Sequence, residues 1–205
     1  MAARSSLLSL LLLITLSNLA IAQAGDTLPR RLKVTAGTIS PRIGGLCRVQ
    51  LAPAFSYVGG QRFVLLGVAD AEQHFFVAAD SAKVIRQAVW LQAEETLPDQ
   101  SGGYDYSSDS SRTLSTLPWA VNLRLNRGAP RPGSDGAAML GYLTARGYHF
   151  PQMAPRLRLV YVPEPRGRRE FMIIYLEAMD VTAPDTALDG VLARALHAIQ
   201  LKACS

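Results

Sequence analysis

The chain has 205 residues, 49% of them hydrophobic and 18% charged, with 21 basic against 16 acidic side chains and a net charge of +5. That composition excludes a disordered chain, which could not bury enough apolar surface to fold, and it allows a substantial core without cross-links. Two cysteines exclude a disulfide-dense scaffold and a four-cysteine zinc site.

Residues 1–22 read as a secretory signal peptide. Arg4 precedes an almost purely apolar run, Leu7–Ala22, which ends in Ala20-Ile21-Ala22, a small-x-small cleavage site. Ala22-Gln23-Ala24 offers a second register, with cleavage after residue 24. The run is shorter than the ~20 apolar residues of a membrane span. The expectation is an exported protein, periplasmic or extracellular, with no transmembrane span in the mature chain.

Residues 25–45 are rich in Pro, Gly and Arg and read as an extended lead-in with a short strand at Leu32–Ala36. A single domain is expected over 46–205. Arg62–Ala69 and His74–Ala79 read as strands joined by a turn at Asp70-Ala71-Glu72-Gln73. After a second turn, Asp80–Lys83, the segment Val84–Glu95 alternates. Ile85, Val89, Leu91 and Ala93 fall on one face, and Arg86, Trp90, Gln92 and Glu94 on the other. Three strands with short connections predict an antiparallel meander.

Pro98–Thr116 reads as a long polar loop. Trp119–Leu125 returns to strand alternation, with Trp119, Val121, Leu123 and Leu125 on one side. Ser134 or Asp135 can cap a helix over Gly136–Arg146, and Gly147 stands where a left-handed stop belongs. Arg156–Val162 and Glu170–Met179 read as strands. Phe171–Leu176 is apolar on both faces, which predicts a central strand covered on both sides. Asp185 or Thr186 can cap a last helix whose Leu188, Val191, Leu192, Ala195, Leu196 and Ile199 form one stripe. The fold class is therefore α+β: a mainly antiparallel, curved sheet of about five to seven strands, with a central and a C-terminal helix packed on it.

Motifs of known chemistry are missing from the sequence. It has no phosphate-binding Gly-rich loop, no His-Glu-x-x-His pair and no Gly-x-Ser-x-Gly elbow. None of its three histidines has a His or Cys two to four residues away. No metal and no cofactor is expected. Glu94, Glu95, Asp99, Asp105 and Asp109 form an acidic run without a basic residue, which suits either a solvated loop or a carboxylate pair for acid–base work. Glu94, Glu95, Asp105 and Glu177 are the catalytic candidates. Glu177 follows the apolar run on the face of Phe171, Ile173 and Tyr175, so if covered it needs a donor such as an arginine or has its pKa raised.

Trp90, Gln92, Tyr104 and Tyr106 suit a small amphipathic ligand, or half-buried packing. Arg131 and Ser134 could add to an anion site at the central helix's N-terminus, which Asp135 would oppose. Arg156, Arg158, Arg166, Arg168 and Arg169 lie within one predicted hairpin and suit an anionic envelope component, or protection of an exposed hairpin. Sequence-specific nucleic-acid recognition is not expected. Cys47 and Cys204 are candidates for a disulfide. Two functions follow: non-catalytic binding of a small ligand or envelope partner, and, as the alternative, a secreted hydrolase using the carboxylates of 94–109.

Overall fold

A computed structural model describes residues 31–126, 128–150, 155–179 and 188–204. The proposed signal peptide and the proposed caps Asp185 and Thr186 lie outside the described residues. The element order is β1 (Leu32–Thr35), β2 (Thr38–Pro41), β3 (Leu46–Leu51), β4 (Ser56–Leu65), β5 (Ala69–Ala79), β6 (Ile85–Thr96), β7 (Ser110–Leu114), β8 (Leu117–Leu125), α1 (Asp135–Thr144), β9 (Pro155–Tyr161), β10 (Arg169–Glu177), α2 (Val191–Ala198) and β11 (Ile199–Ala203). The fold is α+β and antiparallel, with a central and a C-terminal helix. The described strands divide into two sheets: a seven-stranded one ordered β4-β5-β6-β10-β9-β8-β7 and a four-stranded one ordered β1-β2-β3-β11.

The seven-stranded sheet matches the expected strand number, and the four-stranded sheet is an addition to it. The segment read as an extended lead-in forms the hairpin β1–β2, and Leu32 and Ile39 bury there. The stripe of the last helix runs to Ile199, but the helix ends at Ala198 and Ile199 opens β11, which pairs with β3. The expected turn at Asp70–Gln73 is also displaced. The chain reverses at Leu66-Gly67-Val68, where Leu66 and Gly67 both take positive φ, and Leu65 pairs with Ala69. Asp70, Glu72 and Gln73 stay inside β5 because each has a partner there: Arg62 and Arg31 for Asp70, the Arg31 and Leu32 N–H groups for Glu72, and Gln61 and Gln92 for Gln73. The polar loop after Pro98 contains one further strand, β7.

β10 lies between β6 and β9, with Ile173 opposite Leu91 on one side and Leu159 on the other. Its residues Glu170–Glu177 are all buried. The two-residue period of a strand sends its side chains alternately to two cores. Phe171, Ile173 and Tyr175 join Val89, Leu91, Trp119, Leu157 and Leu159 in a core closed by the four-stranded sheet and by Val191 and Ala195 of α2. Met172, Ile174 and Leu176 join Phe75, Trp90 and Val160 in a second core, beneath Met139 and Leu143 of α1. Ile85, expected with Val89, packs in this second core, because the β5–β6 register shifts between Ala78 and Ala79.

Ser134 caps α1, its hydroxyl accepting from the Ala137 N–H at 3.2 Å. Gly147 ends the helix at φ +79°, a backbone conformation that favours glycine. Cys47 of β3 and Cys204, just after β11, form a disulfide with a Cα–Cα distance of 5.0 Å.

Glu177 finds its donor across the first core. Arg194 of α2 clamps both carboxylate oxygens at 2.8–3.2 Å, and the Tyr175 hydroxyl donates at 2.6 Å. Burial alone would raise the Glu177 carboxyl, but these hydrogen bonds outweigh it and hold it below the usual carboxylate range. Arg194→Ala leaves a nearly buried carboxylate without its cation. The expected cost is about 1–2 kcal/mol, reduced because the Arg194 side chain is half exposed. Urea unfolding at neutral pH checks it, and a double-mutant cycle with Glu177→Gln should recover most of the loss.

Candidate functional site

The face of the seven-stranded sheet that carries α1 holds an unusual share of buried polar groups. Gln73 of β5, Gln92 and Glu94 of β6 and Glu170 of β10 are each at most 4% exposed. They sit there by strand parity. Gln92 and Glu94 continue the face of Trp90, while Glu170 continues that of Met172, Ile174 and Leu176. Such groups must be hydrogen-bonded to be tolerated, and they form one chain. The Trp90 indole N–H donates to Gln92 at 2.7 Å, Gln73 donates to the same oxygen at 2.6 Å, and the Gln92 amide donates to Glu94. The Tyr104 hydroxyl donates to Glu94 at 3.0 Å and that of Tyr106 to Glu170 at 2.6 Å.

Glu94 and Glu170 are directly opposite each other across the β6–β10 ladder. Their carboxyl groups lie close enough for each to shift the other's titration. Two carboxylates facing each other in a buried site resist ionising together. Burial, then the charge of Glu94, pushes Glu170 up to about 8. Burial, reinforced by Asp135, raises Glu94 as well, despite the hydrogen bonds it accepts. Burial and the neighbouring carboxyl groups also raise the Tyr104 and Tyr106 phenols, which remain donors at neutral pH.

Two depressions flank Ser134 and Asp135 on this face. The smaller, about 290 Å³, reaches the carboxyl pair, Tyr104, Tyr106 and Arg158, with Leu66 and Met172 among its apolar walls. The larger, about 560 Å³, is walled by Trp90, Met139, Leu140, Phe150 and Leu176, with Arg156 and Arg131 as its cations. That is the volume and apolar character of a small-molecule site. Arg156 has neither a hydrogen-bond partner nor an ion-pair partner among the described residues, and its Nε is shielded from solvent. Burial, then the neighbouring Arg158, lowers its pKa, with Arg124 adding to the effect and Asp135 opposing it.

The structure brings together Trp90, Gln92, Tyr104 and Tyr106, the aromatic–polar set of the sequence, with Glu94 from the catalytic candidates, and adds Glu170. It separates the remaining acids. Glu95 turns to the opposite face, toward Arg31 at 3.2 Å. Asp105 stays exposed and accepts from the Ser107 N–H. Asp109 accepts from Arg158 at 3.0 Å and from Asn122 at 3.1 Å. Within 94–109, Glu94 alone acquires a carboxyl partner among the described residues, and that partner comes from outside the segment.

The five arginines of the predicted hairpin do not make one surface. Arg156 and Arg158 share a face, as their spacing requires, and point into the two depressions under α1. Arg166, Arg168 and Arg169 are exposed at the far end. There Arg168 donates to the Thr96 and Leu97 carbonyls, and Arg166 feels the charge of Asp105. The acidic loop lies directly against this connection: Tyr104 N–H bonds the Gly167 carbonyl at 3.0 Å, and a Cβ on Gly103 would collide with the Arg166 carbonyl. Opposite charges therefore face one another, as in a self-neutralising surface.

Arg131 and Ser134 both line the larger depression, but the Ser134 hydroxyl is committed to its cap and Asp135 stands beside it. No group of three or more potential metal ligands occurs among the described residues. No described helix is long and apolar enough to cross a membrane. Glu170 escaped the sequence reading, although its parity with Met172, Ile174 and Leu176 was a usable signal. No family model, curated protein or solved structure matches the chain.

Proposed function

We propose that this is an exported, non-catalytic protein that holds a small amphipathic ligand between α1 and the seven-stranded sheet. The observation that carries the reading is the 560 Å³ depression, apolar on most of its wall and furnished with a few convergent polar groups. The apolar run and cleavage site at 7–24 support export. The Cys47–Cys204 disulfide is compatible with an oxidising compartment.

Anilinonaphthalene sulfonate, an amphipathic dye, is expected to bind the mature protein saturably at one site. Leu140→Trp, which adds bulk to the wall, should weaken that binding at least about tenfold while leaving the thermal transition in place. Unchanged dye binding by a folded Leu140→Trp variant would remove this depression as the site.

The alternative is hydrolysis, and one observation favours it: the buried residues Glu94 and Glu170 face each other across the strand ladder on the wall of the smaller depression, as acid–base carboxyl pairs do. Turnover of a chromogenic ester, peptide or glycoside, lost in Glu170→Gln, would decide for it.

A further inference from the structure

The proposed ligand has a definite chemical class. Drawing part of a guanidinium out of water without an acceptor is costly, and folded proteins provide such atoms with one. Arg156 has none among the described residues, its Nε faces no partner, and it lies on the wall of the apolar depression. Its charged neighbours do not relieve it. Arg124, opposite it on β8, and Arg158, two residues along β9, are both cations. Arg158 is engaged by Asp109 and lies over the Tyr106 ring. Asp135 on α1 is near enough to interact through its charge but makes no hydrogen bond or ion pair with Arg156, and its Oδ1 accepts from the Gly136 N–H at 2.7 Å.

We infer that the ligand of the larger depression is a monoanionic amphipath, a carboxylate carried on an apolar chain or ring, whose acid group pairs with Arg156 while its apolar body lies against Trp90, Met139, Leu140, Phe150 and Leu176. The Arg156 guanidinium matches a planar carboxylate with two parallel N–H donors, and Arg131 on the same wall adds a second positive charge. The nearby Asp135 carboxylate disfavours a second negative charge. The opposite wall supplies hydrocarbon and ring surface, which selects an apolar body over a polyol.

The inference rests on the ligand-binding reading, and the test separates the two. Decanoate, decanol and decylammonium, all kept below their micellar range, compete with anilinonaphthalene sulfonate for the mature protein. Decanoate is expected to compete at least about tenfold better than decanol, the increment of one charge-assisted hydrogen-bonded pair, and decylammonium worst. Arg156→Gln should remove the preference for decanoate over decanol while keeping decanol affinity and fold. Equal competition by decanoate and decanol, or an intact decanoate preference in Arg156→Gln, would overturn the anion assignment and leave the cleft as an apolar site. Absence of competition by all three would overturn the binding reading and this inference together. If Arg156→Gln fails to fold, Arg156→Lys, which keeps the charge and loses the two-pronged donor geometry, takes its place. It should bind decanoate several-fold more weakly than the native protein, and unchanged affinity would count against the pairing.

Discussion

Replacing Cys47 and Cys204 by serine is expected to lower the unfolding free energy by about 2–5 kcal/mol. The bond closes a loop with a sequence separation of 157 residues, so in chain-entropy terms it removes much freedom from the unfolded state. It also has local work to do. It ties the end of β11 to the start of β3, where the Cys204 N–H bonds the Gly45 carbonyl at 2.8 Å. The four-stranded sheet closes the larger core over Leu32, Ile39 and Val49, so loosening its edge exposes those residues. Urea unfolding of the native and double-serine proteins measures the effect. The midpoint should fall, and the m-value should rise as the unfolded chain expands. An unchanged midpoint would mean that the cross-link contributes nothing to stability.

Raising the pH through the neutral range should destabilise the protein by several kcal/mol, because of the Glu94–Glu170 pair. Glu170 titrates near 4.5 when unconstrained and about 8 in the fold. A group whose folded pKa is raised binds its proton more tightly folded than unfolded. Its stabilisation is complete below the lower value and is lost as pH rises through the folded one. The slope between those limits is roughly 1.4 kcal/mol per pH unit for one proton. Other carboxyl groups act in the opposite sense. Asp70, Glu72 and Glu177 are held below their ordinary values, so they stabilise at neutral pH and lose that stabilisation in acid.

Stability should therefore peak in mildly acidic solution. Glu170→Gln, which keeps a hydrogen-bonding group and removes the titration, should flatten the loss between pH 5 and 8. The variant is expected to be more stable than the native protein at the alkaline end. The readout is the urea midpoint measured across pH for both proteins. Parallel curves would contradict the raised titration of Glu170.

Strand alternation carried much of the fold. The Val89–Ala93 and Phe171–Tyr175 patterns predict the two-faced centre of the large sheet because burial on a strand follows a period of two. Ser134 and Gly147 mark α1 because capping is local chemistry. Segments governed by distant partners were less legible. β2 and β11 are short, and they become strands only by pairing, β2 with β1 and β3, and β11 with β3. Asp70-Ala71-Glu72-Gln73 looks like a turn until Arg31, Arg62 and Gln92 are seen to satisfy it.

The candidate site divides in the same way. Trp90, Gln92 and Glu94 share a visible alternation, and Tyr104 and Tyr106 were marked by their residue types. That Glu94 meets Glu170, rather than another acid of its own segment, depends on β6–β10 register. Arg156 was visible as a cation. Its withdrawal beneath α1 was not, because a hairpin read in isolation has no helix packed on it.

The ligand site can be tested on two atoms. The chain has two tryptophans. Trp90 lies on the wall of the larger depression, while Trp119 is buried in the opposite core, its indole N–H directed at the Leu114 carbonyl. In a proton–nitrogen correlation spectrum of the protein titrated with decanoate, the Trp90 indole resonance is expected to shift saturably and the Trp119 resonance to stay in place. Movement of Trp119 with Trp90 unmoved, or no movement of either indole at saturating decanoate, would contradict a ligand site between α1 and the seven-stranded sheet.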